Sequence, residues 1–104
     1  MSVYAILDIE IHDEERYAEY KRQVPPIIEK YGGRYLVRGA PIMAIGDWKP
    51  SRIVILEFPD RDKLQAFVSS PEYQPVLKIR NEATTSNTIV VEGYEPGAES
   101  GTGG

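Results

Sequence analysis

Four residues carry most of the chemistry that this chain offers: Arg38, Glu57, Tyr73 and Arg80. Arg38 and Glu57 fall inside apolar segments, RYLVR and RIVILEF, where a guanidinium or carboxylate is costly to bury unless it is paired. Two readings follow from that cost. In one, Arg38 holds an anionic group and Glu57 acts as acid or base in a polar pocket. In the other, the two pair with each other, or with Arg52 or Arg80, for structure alone. Arg80 follows Tyr73 by seven residues, about 700° around a helix, so both side chains lie near one face. Together they can grip a carboxylate or enolate, with the Tyr73 hydroxyl meeting developing oxyanion charge. Ser70, directly before Pro71, has the plainer reading of a helix cap.

His12 is the single imidazole, hence a candidate general base or haem ligand near neutral pH. Its plainer reading is a solvated loop histidine beside Asp13, Glu14 and Glu15. Those carboxylates show no metal-binding spacing, and the expectation is that neither metal nor cofactor is held. With no Cys, thiol nucleophiles, iron–sulfur clusters and Cys-based zinc sites are impossible within one chain. Gly32-Gly33, Gly39 and Gly46 form no phosphate-binding pattern, and no Ser sits in a nucleophile elbow. The chain has 104 residues with 12 Lys+Arg against 16 Asp+Glu, a net charge of −4 that argues against nucleic acid as partner. It has no long apolar run and opens directly into a strand-like segment, so the expectation is a cytoplasmic protein without membrane contact.

Any pocket has to be positioned by the elements around it. Val3 to Ile11 (VYAILDIEI) reads as a strand with Val3, Ala5, Leu7, Ile9 and Ile11 on one parity. Asp13 caps a helix whose stripe is Tyr17, Tyr20, Val24, Ile28 and Tyr31, with a kink or break expected at Pro25-Pro26. The stripe reads as core, although buried phenols want partners. Gly32-Gly33 ends the helix. Arg34 to Arg38 is a short strand, Ile42 to Ile45 another apolar stretch, and Asp47-Trp48-Lys49-Pro50 a turn whose indole suits an interface. Arg52 to Phe58 is the clearest strand. Asp60 or Asp62 caps a second helix with Leu64, Phe67 and Val68, Ser70-Pro71 starts a further helical segment, and Thr88 to Tyr94 is the last strand. Residues 1–94 make one domain, and the Gly-rich residues 95–104 a flexible tail.

The order strand, helix, strand, strand, helix, strand is the ferredoxin-like βαββαβ pattern of the α+β class, an antiparallel sheet with both helices on one face. Such a sheet should alternate apolar and polar residues if its second face is wet. Ile53-Val54-Ile55-Leu56 and Ile89-Val90-Val91 are instead apolar on both parities. The 41% hydrophobic content exceeds what one sheet face needs, so a second copy of the chain is the expected cover, giving a homodimer.

The runs YAEYKRQVPPIIEKYGGRYLVRGA, RIVILEFPDRDKLQAF and SPEYQPVLKIRNEA resemble the family catalogued as domain of unknown function 1330, from about Val3 to Gly93. The resemblance implies a dimeric α/β-barrel and supplies no reaction. On that pattern Glu57, Tyr73 and Arg80 are carried over as catalytic candidates, and Tyr17, Arg38 and Ser70 as ligand-binding ones. His12 and Trp48 sit in less constrained regions of the pattern. The expected function is a cofactor-independent enzyme of isomerase, cyclase or monooxygenase type acting on a small acidic or aromatic metabolite. The alternative is a non-catalytic small-molecule binding or assembly module, the latter with an interior filled by side chains.

Overall fold

Alternation along β1 (Val3–Ile11) sets the architecture: Val3, Ala5, Leu7 and Ile9 are buried, while the residues between them are half-buried or exposed. The structure, a computed structural model, describes residues 1–96; the expected flexible tail lies outside them from residue 97 onward. After β1 come α1 (Glu14–Lys30), β2 (Arg34–Arg38), β3 (Ile53–Phe58), α2 (Arg61–Ser69), α3 (Tyr73–Ala83) and β4 (Thr84–Glu92). The four strands form one antiparallel sheet in the order β2-β3-β1-β4. This is the expected α+β ferredoxin-like fold, with its second helical segment divided into α2 and α3.

The covered face of the sheet contributes Val3, Ala5, Leu7, Ile9, Val54, Leu56 and Phe58 to the core. The helices answer with Tyr17, Tyr20, Val24 and Ile28 from α1, Leu64 and Phe67 from α2, and Tyr73 and Val76 from α3. Phe58 and Tyr17 are among the most completely buried; each such side chain stabilises the fold by about 1.5–3 kcal/mol. On the other face the register places Tyr4, Ile6 and Asp8 beside Glu57, Ile55 and Ile53 on one side and Val91, Ile89 and Asn87 on the other. Among the described residues no helix covers that face. Ile89 and Val91 remain 62% and 47% exposed.

Side chains begin the helices as expected. Asp13 accepts from Arg16 N at 3.0 Å and Asp60 from Lys63 N at 2.8 Å. At the end of α1, Gly32 N–H reaches Glu29 O and Gly33 N–H reaches Ile28 O, with Gly32 at φ +82°, a Schellman stop. A Cβ on Gly33 would fall 2.6 Å from the Phe58 ring, so this position also lets α1 close on the sheet.

Two expectations need correction. Pro25-Pro26 does not interrupt α1, which runs unbroken from Glu14 to Lys30. Pro25 has no N–H for the carbonyl of Lys21, and Arg38 Nη2 donates to that oxygen at 2.8 Å instead. The apolar stretch Ile42 to Ile45 belongs to the connection between β2 and β3, and Ile42, Met43 and Ile45 are exposed. Strand β4 starts at Thr84 and ends at Glu92. Its first residues, TTSN, carry no apolar alternation and are held by pairing with β1 from Ile11 to Asp8.

Candidate functional site

A cavity of about 300 Å³ opens between the sheet and helices α1, α2 and α3. Ala5, Leu7 and Leu56 form its floor, Leu64, Phe67, Val68 and Leu77 its helical walls, and Thr88 and Val90 its margin on β4. The lining is mostly apolar. Its ionisable groups are Tyr20, Tyr73 and Arg80.

Each is held in place by the local structure. Ser70 is buried and its Oγ accepts from Tyr73 N at 3.2 Å while donating to Phe67 O at 2.9 Å. Phe67 packs against both Phe58 and Tyr73, with ring centroids 5.4 and 4.3 Å away. Tyr73 is thereby fixed at the start of α3, with its hydroxyl 3.0 Å from that of Tyr20. Tyr20 stacks on Tyr17, centroids 5.7 Å apart and planes 22° from parallel. Arg80, two turns along α3 from Tyr73, lies over the Tyr20 ring with its guanidinium carbon 6.0 Å from the centroid. Its Nε is shut away from solvent and has no hydrogen-bond partner among the described residues.

The electrostatics follow from this packing. Burial pushes the Tyr20 phenol far above its ordinary value, opposed by the positive charge of Arg80. Tyr20 is therefore a neutral hydrogen-bonding group at any physiological pH. Two hydroxyls in contact use one proton between them and leave the second O–H free to donate. That free donor and the unpaired guanidinium edge suit a carboxylate, phenolate or enolate oxygen.

The other sequence candidates are distributed elsewhere. Glu57 is on the uncovered face of the sheet, where it accepts from Arg34 Nε at 2.6 Å and from the Tyr4 hydroxyl at 3.2 Å. The Arg34 guanidinium holds its carboxyl below the usual range. Glu57 thus takes no part in the cavity that holds Tyr73 and Arg80. Arg38 is on the helix side but at the β2 edge, where it covers the Tyr35 ring at 4.6 Å and caps the Lys21 carbonyl. A bulge between Tyr35 and Val37 turns it to that side. Tyr17 is core and supports Tyr20. His12 is exposed and bonds Thr85 Oγ1 through Nε2 at 2.6 Å. Trp48 donates to Asp8 Oδ2 at 3.3 Å and leans on the uncovered face beside Ile6, Ile53 and Ile89. Among the described residues no three His, Asp or Glu gather in a metal-holding group, and no helix is long and apolar enough to cross a membrane.

Tyr20 is the functional candidate that the sequence conceals, because its spacing is that of a core stripe. The available signal was chemical: a phenol on a core stripe needs a partner for its hydroxyl.

The family described as Domain of unknown function (DUF1330) matches residues 2–94. Among solved structures the chain is similar to RPA0582, a protein of unknown function from Rhodopseudomonas palustris, at 23% identity and a TM-score of 0.76, covering 91% of this chain and 84% of that one. It is also similar to SnoaB, a cofactor-independent oxygenase from Streptomyces nogalater, at 13% identity and a TM-score of 0.67, covering 94% and 98%. A dimeric ferredoxin-like protein of unknown function from Jannaschia sp. CCS1 shares 14% identity with a TM-score of 0.69, covering 88% and 99%. None of the curated proteins matches the chain.

Proposed function

The chain belongs to the DUF1330 family, and from that premise we propose that it forms a homodimer whose protomers each bind a small, largely apolar acid or phenol and act on it without a cofactor. The observation that carries the proposal is the buried, unpartnered Nε of Arg80 at an apolar cavity of about 300 Å³, beside the hydroxyl pair of Tyr20 and Tyr73. A volume of this order fits a ligand of roughly one or two rings.

Arg80 holds the anionic oxygen, and the free O–H of the tyrosine pair donates to the oxygen on which charge develops. Among the described residues no carboxylate or imidazole lines the cavity. The site therefore favours a substrate that ionises by itself, such as an enol or phenol, over one needing a strong protein base. Isomerisation or oxygenation of an enolate fits this requirement, and the oxygenase activity named for SnoaB is in keeping with it. Glu57 serves the sheet face through Arg34. The homodimer rests on the apolar uncovered face and on the likeness to a neighbour described as dimeric.

Benzoate titrations followed by amide and side-chain NMR test the pocket. Saturable shifts around Tyr20, Tyr73 and Arg80 are expected, with affinity about tenfold weaker in Arg80→Gln, the size of one charged hydrogen bond. A cavity that stays silent at saturating benzoate would overturn the reading. Enolisable aromatic acids then separate an enzyme from a binding module, since only an enzyme turns them over.

A further inference from the structure

We infer that the chain carries a second anion site, separate from the Arg80 cavity, in which Arg52, Arg38 and Lys21 hold a compact oxyanion such as a carboxylate or phosphate group. Arg52 is half-buried, immediately before β3, with its guanidinium carbon 5.6 Å from the centroid of Tyr17. It backs directly onto Gly39, where a Cβ would displace the guanidinium; glycine is favoured there by its φ of +72°. Its Nε is sealed from solvent without a partner, and its side chain makes no hydrogen bond among the described residues. Only that Nε is sealed; the four N–H donors on Nη1 and Nη2 have no protein acceptor among the described residues and stay open to an anion from solution.

Two more cations share the place. Lys21 Nζ is 5.7 Å from the centroid of the same Tyr17 ring, and Arg38 lies over the neighbouring Tyr35. With Tyr17, Tyr20, Tyr35 and aliphatic side chains of the core, these three cations line one small cavity of about 20 Å³. None of the three enters an ion pair among the described residues, whereas Arg16, Arg22, Lys30, Arg34 and Arg61 each have a glutamate. In a chain with 16 acidic against 12 basic residues, a cluster of three cations without a carboxylate is a concentration of positive potential. The tyrosine faces offset part of the mutual repulsion. An anion would offset the rest.

The size of the cavity defines the ligand. Its inner wall is aliphatic core, Leu7, Ile9, Ile28, Val54 and Leu56, and its volume is that of about one water, so an anion sits at its mouth between Arg52, Lys21 and Arg38. That describes a compact head group, and the fork of Arg52 with a second arginine beside it suits the paired oxygens of a carboxylate or phosphate. The two cavities share Leu7, Tyr20 and Leu56 in their walls and differ in volume and in their cations: Arg52, over the Tyr17 ring, belongs to this one and Arg80, over the Tyr20 ring, to the main pocket.

Thermal unfolding of the full chain in sodium acetate, inorganic phosphate and sodium chloride at matched ionic strength tests this. The expected result is a saturating rise in Tm with acetate, phosphate or both, and none with chloride; the responding anion identifies the head group. Arg52→Gln and Lys21→Met should each remove more than half of the response, and Arg80→Gln should leave it intact, which separates this site from the benzoate pocket. Should Arg52→Gln fail to fold, the Nε–H resonance of Arg52 in the unaltered protein must shift saturably with the responding anion. A response shared equally by chloride, one that survives in the folded Arg52→Gln or Lys21→Met variant, or an unmoved Arg52 resonance would each overturn the inference.

Discussion

The hydroxyls of Tyr20 and Tyr73 meet at 3.0 Å in the buried space between α1 and α3, 53 residues apart in the chain. They tie the two helices together at the point where the main cavity needs a donor. Stacking of Tyr17 on Tyr20 extends this contact, and a different arginine lies over each ring of the stacked pair. Structure and recognition share these residues.

Removing one hydroxyl tests the structural share. Tyr73→Phe leaves the buried Tyr20 oxygen without its partner and should cost about 1–3 kcal/mol of unfolding free energy. Tyr20→Phe/Tyr73→Phe should cost less than the two single changes combined, because neither oxygen is then stranded. Urea denaturation of the four proteins measures the difference. Strict additivity would show that the contact contributes nothing.

A second cycle concerns Arg38 and Pro25. Arg38 supplies the Lys21 carbonyl with the hydrogen bond that Pro25 cannot give. Arg38→Ala should therefore destabilise the protein by about 0.5–1.5 kcal/mol. In a Pro25→Ala background the restored N–H can reach that carbonyl, and the cost of Arg38→Ala should fall by about half or more. An equal cost in both backgrounds would detach Arg38 from the helix and leave its place over Tyr35 as its whole contribution to stability.

How much of this was legible follows from periodicity. The α1 stripe is written at helical spacing, and Tyr17, Tyr20, Val24 and Ile28 are buried accordingly. Tyr73 and Arg80 are seven residues apart and do line one cavity. Glu57 was not legible, because Ile53 to Leu56 is apolar on both parities and nothing local says which parity meets the helices. Arg38 depended on a bulge at Leu36 that reverses the parity of a five-residue strand. Arg52 reads as the polar end of a strand; its enclosure by Gly39 and Tyr17 exists only in three dimensions.

The uncovered face leads to a prediction about assembly. Ile89 pairs across the sheet with Ile6 and is 62% exposed. Ile89→Lys should leave the far-ultraviolet circular dichroism unchanged and halve the mass measured by sedimentation at micromolar concentration. A mass that does not change would place the dimer contact elsewhere, or show that the protein is a monomer.

Stability should respond to acid in a defined direction. Arg34 holds Glu57, Lys30 holds Glu72 and Arg16 holds Glu82 below the ordinary carboxyl value of 4.5. The unfolded chain then binds protons more readily, so these pairs contribute above 4.5 and their contribution is lost as pH falls through the lower folded values. Lys30 works in the opposite sense: Glu72 raises it above 10.5, so its contribution is complete below that value and is lost as pH rises past it. All are near the surface, so the acid-side fall in Tm should be modest and shrink with added salt. Glu72→Gln should make it shallower. A Tm that rises on acidification would contradict these pairings.

Alkaline titration reads the main cavity directly. The chain has seven tyrosines, whose ordinary value is 10.0, and burial raises Tyr20 strongly and Tyr35 to a lesser degree. As pH passes 10.0 the unfolded chain can ionise these phenols while the folded chain resists, so stability must fall with rising pH in that range. Phenolate absorbance of the folded protein should accordingly stop short of seven groups and complete itself in a step at unfolding. Tyr20→Phe should leave the folded part of the curve unchanged and remove one group from the step. If the variant instead loses amplitude before unfolding, Tyr20 ionises within the fold, and the neutral donor pair proposed beside Arg80 would give way to a tyrosinate acting as a base.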